Sequence, residues 1–360
     1  MHQLERLPND MSTKRHLIGA LALAVPALLG ADAVLAAATR SGYDARGEVR
    51  AWASRTAKRY NLNEEWILSV LSKARHIRTS KSMMRRPEKT SSVQPKDWGR
   101  HRALTLTPER IEKGLKFRER NEALLQVAEQ RWGVPGDILT AVIGIETIYG
   151  KSMGRYRVLD VLATLSFDEP RRAHYFQDEL AAFLLLCKVT ESNPNSVLGS
   201  FAGAIGMCQF MPSSILKFGV DFDEDHAVRL RSSEADAIGS VANFLKHAGW
   251  NATLPVVWPC RCTPQIARDL AAGGIRANTT LQNMLDAGVE PLERIEAPAQ
   301  TSALLIDLPL GKDSTIWLIG TQNFSALLEY NRSYFYAESV RELALAFSQE
   351  MKREDARFVF

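Results

Sequence analysis

One carboxylate, Glu146, stands inside AVIGIETIYG (Ala141 to Gly150), a run otherwise suited to the buried face of a helix. VPGD upstream supplies a turn and an acidic first turn, and Gly150 a stop, so the pattern predicts a helix over Asp137 to Tyr149. Leu139, Val142 and Ile143 share one stripe, and Glu146 falls on it. A lone ionised carboxylate is costly to bury, so it either acquires a partner or holds its proton to higher pH. Two readings follow. One is an ion pair with an arginine such as Arg155 or Arg171; the other is a general acid kept protonated near neutral pH by an apolar pocket.

Two further clusters carry groups that suit a sugar. GSFAGAIGMCQFMPSS (Gly199 to Ser214) is rich in small residues and lacks the Gly-Lys-Ser/Thr ending of a phosphate loop. Small residues admit a ligand close to the backbone, while Ser200 and Gln209 offer polar hooks and Phe210 a flat apolar face. EYNRSYFYA places Tyr330, Asn331, Tyr334 and Tyr336 within two turns, a mixture in which rings stack on sugar C–H faces while amides and hydroxyls bond. Taken singly, the first cluster is equally a tight helix junction and the second the edge of a core.

The elements that must position these groups are mostly helical. EVRAWASRTAKRY and NEEWILSVLSKA have helical periodicity, and TSKSMMRRPEKTSSVQPKDWGRHR then reads as an extended, solvated connection. Helix resumes from Thr107, a cap followed by Pro108, to a stop at Gly133. YFQDELAAFLLLCKV, DAIGSVANFLKHAGW and ESVRELALAFSQEMKRE continue it. LPVVWP, SALLIDLPL and STIWLIG, by contrast, are short and β-branched or alternating, which predicts a small antiparallel sheet late in the chain. A chain of 360 residues with 46 % hydrophobic content buries a large core in two or three lobes, and a net charge of +4 is too mild for a nucleic-acid partner. Lys14 and Arg15 precede LIGALALAVPALLGADAVLAAA, the layout of a secretory signal with small-residue exits at Ala33 or Ala38; an uncleaved anchor is the alternative. No cysteine closes that segment, so a lipoprotein is not expected. Cys187, Cys208, Cys260 and Cys262 are sparse for a disulfide scaffold but permit one bridge in an oxidising compartment, and ordinary or singly bridged thiols are expected.

IGIETIYG, LDVLATLSFDEPRRAHYF, GSFAGAIGMCQFMPSS, DAIGSVANF and YNRSYFYA, in this order, closely resemble the lytic murein transglycosylase B family, glycoside hydrolase family 103, from about Trp98 onward. The resemblance implies a mainly α (α+β) fold: a lysozyme-like helical core with a flanking helical lobe and a small antiparallel β lobe. The corresponding division is a signal segment at 1–38, a helical lobe and connection at 45–118, the core at 119–250, the β lobe at 251–322 and a return to the core at 323–360. It implies a periplasmic, monomeric enzyme acting on peptidoglycan glycan strands, with wall-synthesis enzymes as candidate partners. The family's catalytic acid falls on Glu146, its binding serine and glutamine on Ser200 and Gln209 with Phe210 beside them, and its late tyrosine, asparagine and tyrosine on Tyr330, Asn331 and Tyr336. Two expected tyrosines are replaced by His101 and Phe244, which keep a ring but lose the hydroxyl.

The family also carries an EF-hand-like loop, and the resemblance implies structural Ca²⁺ and no cofactor for catalysis. VDFDEDHAVRLRSSEAD offers Asp221, Asp223 and Asp225 at alternate places, the Ala227 carbonyl, and Asp236 as a late closing carboxylate. His226 stands where the sharp turn wants glycine, and Ser232 where the standard loop closes on glutamate. The implied reaction cuts the N-acetylmuramic acid to N-acetylglucosamine bond without water, one glutamate serving as acid and then base. A muramidase, needing a second carboxylate facing Glu146, and a wall-binding protein without catalysis are the competing readings.

Overall fold

Short polar side chains open the helices by accepting a backbone N–H from their own first turn. Asn63 accepts from Trp66, Asp97 from Arg100, Thr107 from Arg110, Thr263 from Ile266, Thr280 from Asn283 and Thr321 from Asn323. The computed structural model describes residues 42–78, 96–270 and 273–357; the signal-like segment and most of the basic connection lie outside them. Helices run over Gly47–Tyr60 (α1), Glu64–Leu71 (α2), Trp98–Thr105 (α3), Pro108–Arg120 (α4), Glu122–Trp132 (α5) and Gly136–Thr147 (α6). Next come strand Tyr156–Arg157 (β1), helices Val158–Phe167 (α7) and Ala173–Val189 (α8), strand Leu198–Gly199 (β2), and helices Pro212–Phe218 (α9) and Glu234–His247 (α10). The chain then forms Val257–Arg261 (β3), Pro264–Asp269 (α11), Thr279–Thr280 (β4), Leu281–Asp286 (α12), Glu290–Pro291 (β5), Ser302–Leu310 (β6) and Ser314–Gly320 (β7), and closes on Gln322–Tyr330 (α13) and Tyr334–Arg357 (α14). The architecture is mainly α with a small antiparallel sheet, as the sequence predicts. Among the described residues no helix is long and apolar enough to cross a membrane.

The described residues gather into two units, 96–149 with 241–357, and 42–78 with 150–240. In the first, α6 packs against α4, α5 and α14, and Leu139, Val142 and Ile143 are fully buried with Phe117 and Phe347. The sheet has the order β4-β6-β7-β3-β5, antiparallel throughout. One apolar cluster joins Trp258, Cys260, Leu305 and Ile319 of the strands to Ala267, Leu281 and Met284 of α11 and α12. On β6, the neighbours are α3 and α14.

In the second unit α7 packs on α8, and α8 on α9. Glu179 is a buried acid with a structural task, accepting from the Ser213 N–H at 3.0 Å and hydroxyl at 2.7 Å at the start of α9. Asp168, just past α7, accepts from the Tyr43 hydroxyl at 2.6 Å, Arg46 Nη1 at 2.7 Å and His76 Nδ1 at 2.7 Å. Asp160 of α7 accepts the Arg75 N–H at 3.0 Å, and Thr164 the Ile77 N–H at 2.9 Å. These bonds tie residues 43–77 to α7.

Two sequence expectations change, and one question the sequence left open is answered. The helix predicted from Thr107 to Gly133 is broken at Asn121, whose side-chain amide bonds back to the Phe117 carbonyl at 2.9 Å and competes with the helical ladder. The end of the expected extended connection is α3, because Asp97 caps it. All four cysteines are free thiols.

The Asp168 clasp has a pH signature. Burial pushes its carboxyl up, but hydrogen bonds from Tyr43, Arg46 and His76 outweigh that and hold it below the usual range. A lowered pKa contributes stability that is present above the unfolded value of about 4 and lost as pH falls through the folded one. Urea unfolding should therefore show Asp168→Ala less stable than the parent by about 2–3 kcal/mol at pH 7, with the gap narrowing as pH falls below the unfolded value of about 4.

Candidate active site

Helix α6 carries Glu146 in its last turn and ends in an unusual way. Ile148 and Tyr149 both take left-handed backbone angles, φ 52° and 55°, ahead of Gly150 at φ 84°. The reversal thus begins two residues before the glycine expected to make it, at a cost on the order of 1 kcal/mol or more for each non-glycine residue. What holds it is Tyr149, whose hydroxyl donates to the Arg110 carbonyl at 3.0 Å and whose ring lies 5.5 Å from that of Phe117. Gly144 and Gly114 leave room for that hydroxyl, since a Cβ at either position would come within 2.4 Å of it. The backbone just after the acid is therefore fixed.

Glu146 itself is half-buried, and among the described residues it makes no ion pair. The arginine pairing weighed from sequence is absent. Burial pushes its carboxyl from an ordinary 4.5 to about 7, and a hydrogen bond from the Tyr336 hydroxyl draws it part of the way back. No charged neighbour contributes to that shift. At neutral pH the group is poised to give a proton or take one.

Around Tyr336 the unit gathers aromatic rings. Tyr336 stacks on Tyr330 at 6.2 Å and 17°, and Phe244 meets Tyr330 edge-on at 4.8 Å. Asn331 follows α13 in extended conformation, and its Oδ1 is buried with no hydrogen-bond partner among the described residues. A buried acceptor left open in this way is costly unless a ligand satisfies it. His101 stacks on Trp98 at 5.7 Å and lies 5.2 Å from Phe335, the residue before Tyr336. Burial, and then the Arg110 guanidinium, push the His101 pKa down, so it stands here as a neutral ring.

In the other unit Ser200, Gln209 and Phe210 share one loop. The Ser200 hydroxyl accepts from the N–H groups of Ala202 at 3.3 Å and Ala204 at 3.0 Å, which makes it a staple of the loop. Gln209, at φ 50°, donates from Nε2 to the Gly206 carbonyl at 2.9 Å, and Phe210 closes a bridge with Ile205. Glycine is required at Gly206, where φ is 77° and a Cβ would lie 2.5 Å from the Leu230 carbonyl oxygen.

The acidic loop of that unit brings carboxylate oxygens of Asp221, Asp223 and Asp236 within 4.8 Å of one another. Asp236 is fully buried and accepts the N–H groups of Phe222 at 2.9 Å and Arg229 at 2.6 Å. Burial first, and then Asp223 and Asp221, push its carboxyl up against those bonds. Three hard oxygen donors with uncompensated charge suit a hard divalent cation, so this part of the donor set fits calcium. Asp225 lies outside the convergence because its carboxylate is drawn to Arg229, and its other oxygen accepts the Ala227 N–H at 3.1 Å. His226 does adopt the left-handed angle, φ 71°, that its place in the loop demands.

A family model for the transglycosylase SLT domain matches residues 44–345. The membrane-bound lytic murein transglycosylase B of Escherichia coli is 35 % identical over 296 residues, 80 % of this chain and 79 % of that protein. The chain belongs to the lytic murein transglycosylase B family. Solved structures agree. The catenated lytic transglycosylase SltB1 of Pseudomonas aeruginosa matches with TM-score 0.79 at 31 % identity, covering 86 % of this chain and 99 % of that one. The Escherichia coli lytic transglycosylase Slt35 in complex with calcium matches with TM-score 0.74 at 32 % identity, covering 86 % and 95 %. The mainly helical, lysozyme-like fold with a small antiparallel sheet is thus that of the lytic murein transglycosylase B family.

Sequence reasoning missed Tyr149, Arg110, Trp98 and Phe335. Tyr149 carried one signal, an aromatic residue three places after the acid and directly before a glycine; the others act through contacts that spacing does not reveal.

The raised Glu146 pKa makes a stability prediction of opposite sign to that of Asp168. The unfolded carboxyl ionises near 4.5 and the folded one near 7, so the folded state binds more protons between them and loses stability as pH rises across that window. Glu146→Gln should be more stable than the parent by about 2–3 kcal/mol at pH 8 and equal to it at pH 4, as read by urea denaturation.

Proposed function

We propose that this chain is a peptidoglycan lytic transglycosylase that cleaves the N-acetylmuramic acid to N-acetylglucosamine β-1,4 bond without water. The observation that carries the reading is a single carboxyl, Glu146, raised to about 7 by burial with no charged group bearing on it. Glu146 donates its proton to the glycosidic oxygen as the bond to C1 breaks. Its carboxylate then takes the proton of the muramic acid C6 hydroxyl as that oxygen closes onto C1. One proton leaves Glu146 and one returns, and the product is a 1,6-anhydro sugar. Tyr336 serves both states, since its hydroxyl donates to the carboxylate and limits the upward shift. Support for a single-acid scheme comes from Asp160 and Asp168, the acids nearest in sequence on the downstream side, which are committed to Arg75 and to the Tyr43, Arg46 and His76 clasp. Asn331, with its open acceptor, and the rings of Tyr330, Tyr336, Phe244 and His101 are proposed sugar contacts. Ser200, Gln209 and Phe210 are proposed sugar contacts from their own loop.

We assign a structural role to calcium, held by Asp221, Asp223 and Asp236, where it would balance the charge that these three bring together. The proton steps belong to Glu146 alone. Export by the N-terminal segment to the periplasm, with the glycan strand as partner, completes the reading.

Mass spectrometry of the soluble products of peptidoglycan digestion tests the reaction. The parent should release muropeptides lighter by one water than reducing ones, and Glu146→Gln should lower their yield by at least about a hundredfold. Reducing ends from the parent would make it a hydrolase, and no release would leave a binding protein. For the metal, millimolar calcium should raise the parent's Tm by roughly 5 °C and leave Asp223→Asn unmoved in the same scan.

A further inference from the structure

Strands β3 and β7 pair only from Val257 opposite Gly320 to Cys260 opposite Trp317. Beyond that point they part: Arg261 pairs away with Glu290 of β5, and the chain turns at Thr263 into α11. Two prolines fix which backbone groups face the fork. Pro259 opposite Leu318 and Pro309 opposite Thr315 have no N–H to give, so both are non-hydrogen-bonded pairs. Alternation then directs the peptide groups of Trp317 to β3 and those of Thr315 to the same side. There no strand of the described residues pairs with Thr315.

The fork is a depression of about 490 Å³, and Pro259, Arg261, Cys262, Leu292, Thr315 and Ile316 are among the residues that line it. By the same register Pro259, Arg261, Leu292 and Ile316 belong to one face of the sheet. Leu292 is 55 % exposed and Ile316 37 %, which makes an apolar shelf. Arg261 is exposed and makes no ion pair among the described residues, although Glu290 is its cross-strand neighbour. An open strand edge binds an extended backbone, a shallow apolar shelf takes a small side chain, and a free guanidinium takes a carboxylate.

We propose that the fork between β3 and β7 binds a short extended peptide through its backbone and a free carboxylate, the carboxylate on Arg261, and that its occupant is the peptide arm of the glycan strand. The choice of occupant rests on the function proposed above; the chemistry of the fork does not.

The test compares two substrates and one direct titration. Arg261→Ala should slow product release from peptide-bearing strands about fivefold, the effect expected of one exposed charge pair, and leave strands stripped of peptide by an amidase cut at the parental rate. A synthetic pentapeptide ending in D-alanyl-D-alanine, titrated against the full chain by NMR, should shift resonances at the fork as the free acid and less as the C-terminal amide, and Arg261→Ala should erase that difference. Equal response to acid and amide, or an unchanged rate of Arg261→Ala on peptide-bearing strands, overturns the proposal. Should neither substrate yield anhydro products, the functional reading falls, while the titration, which needs no turnover, still decides the fork.

Discussion

The cost of keeping a charge out of water organises this molecule. Glu146 sits on a helix whose other faces are apolar, and no cation is supplied to offset its ionisation. The surroundings therefore favour the proton, and the same desolvation that would count as a defect in a structural acid gives this one its working range. Glu179 and Asp168 show the contrast. Glu179 is more deeply buried but is satisfied by Ser213, and Asp168 is surrounded by donors, so neither is left free to exchange a proton with a ligand.

A poised acid is useful only if its position is held, and the chain spends conformational strain to hold it. Two successive left-handed residues, one of them β-branched, follow the helix, and Tyr149 locks them through the Arg110 carbonyl. Gly144 and Gly114 are the counterpart of that lock, absent side chains that let a hydroxyl sit where a methyl group would collide. On the next layer, Tyr336 joins the acid to the Tyr330 and Phe244 rings, so the electrostatic and stacking groups of this unit share one side chain.

Much of this was legible in the sequence because it depends on local rules. Thr107 with Pro108 and the left-handed Gly133 mark helix ends by capping chemistry, and the change of period after Trp250 marks the sheet. The oddity of Glu146 was visible as a polar residue on an apolar stripe. Its roles, and those of Ser200, Gln209 and the late tyrosines, came from family resemblance. What escaped depends on distance in sequence. Asn121 ended a helix by bonding to its own carbonyl ladder, Arg229 took Asp225 out of the acidic cluster, and Tyr149 found a partner 39 positions away. The Trp98, His101 and Phe335 cluster likewise joins α3 to α14, a meeting that no window of sequence contains.

The order in which the chain fills its units has a consequence for synthesis. The unit that holds Glu146 is assembled from 96–149 and from 241–357, and α6 packs on α14, the last helix of the described residues. A nascent chain that has delivered the acid still lacks the surface that desolvates it and the tyrosine that touches it. A ribosome or translocon must deliver the chain as far as α14 before the carboxyl can hold its proton at neutral pH. A fragment ending anywhere before Tyr336 would carry Glu146 as an ordinary ionised side chain, so the segment that supplies Tyr336 also acts as the arming step of the molecule.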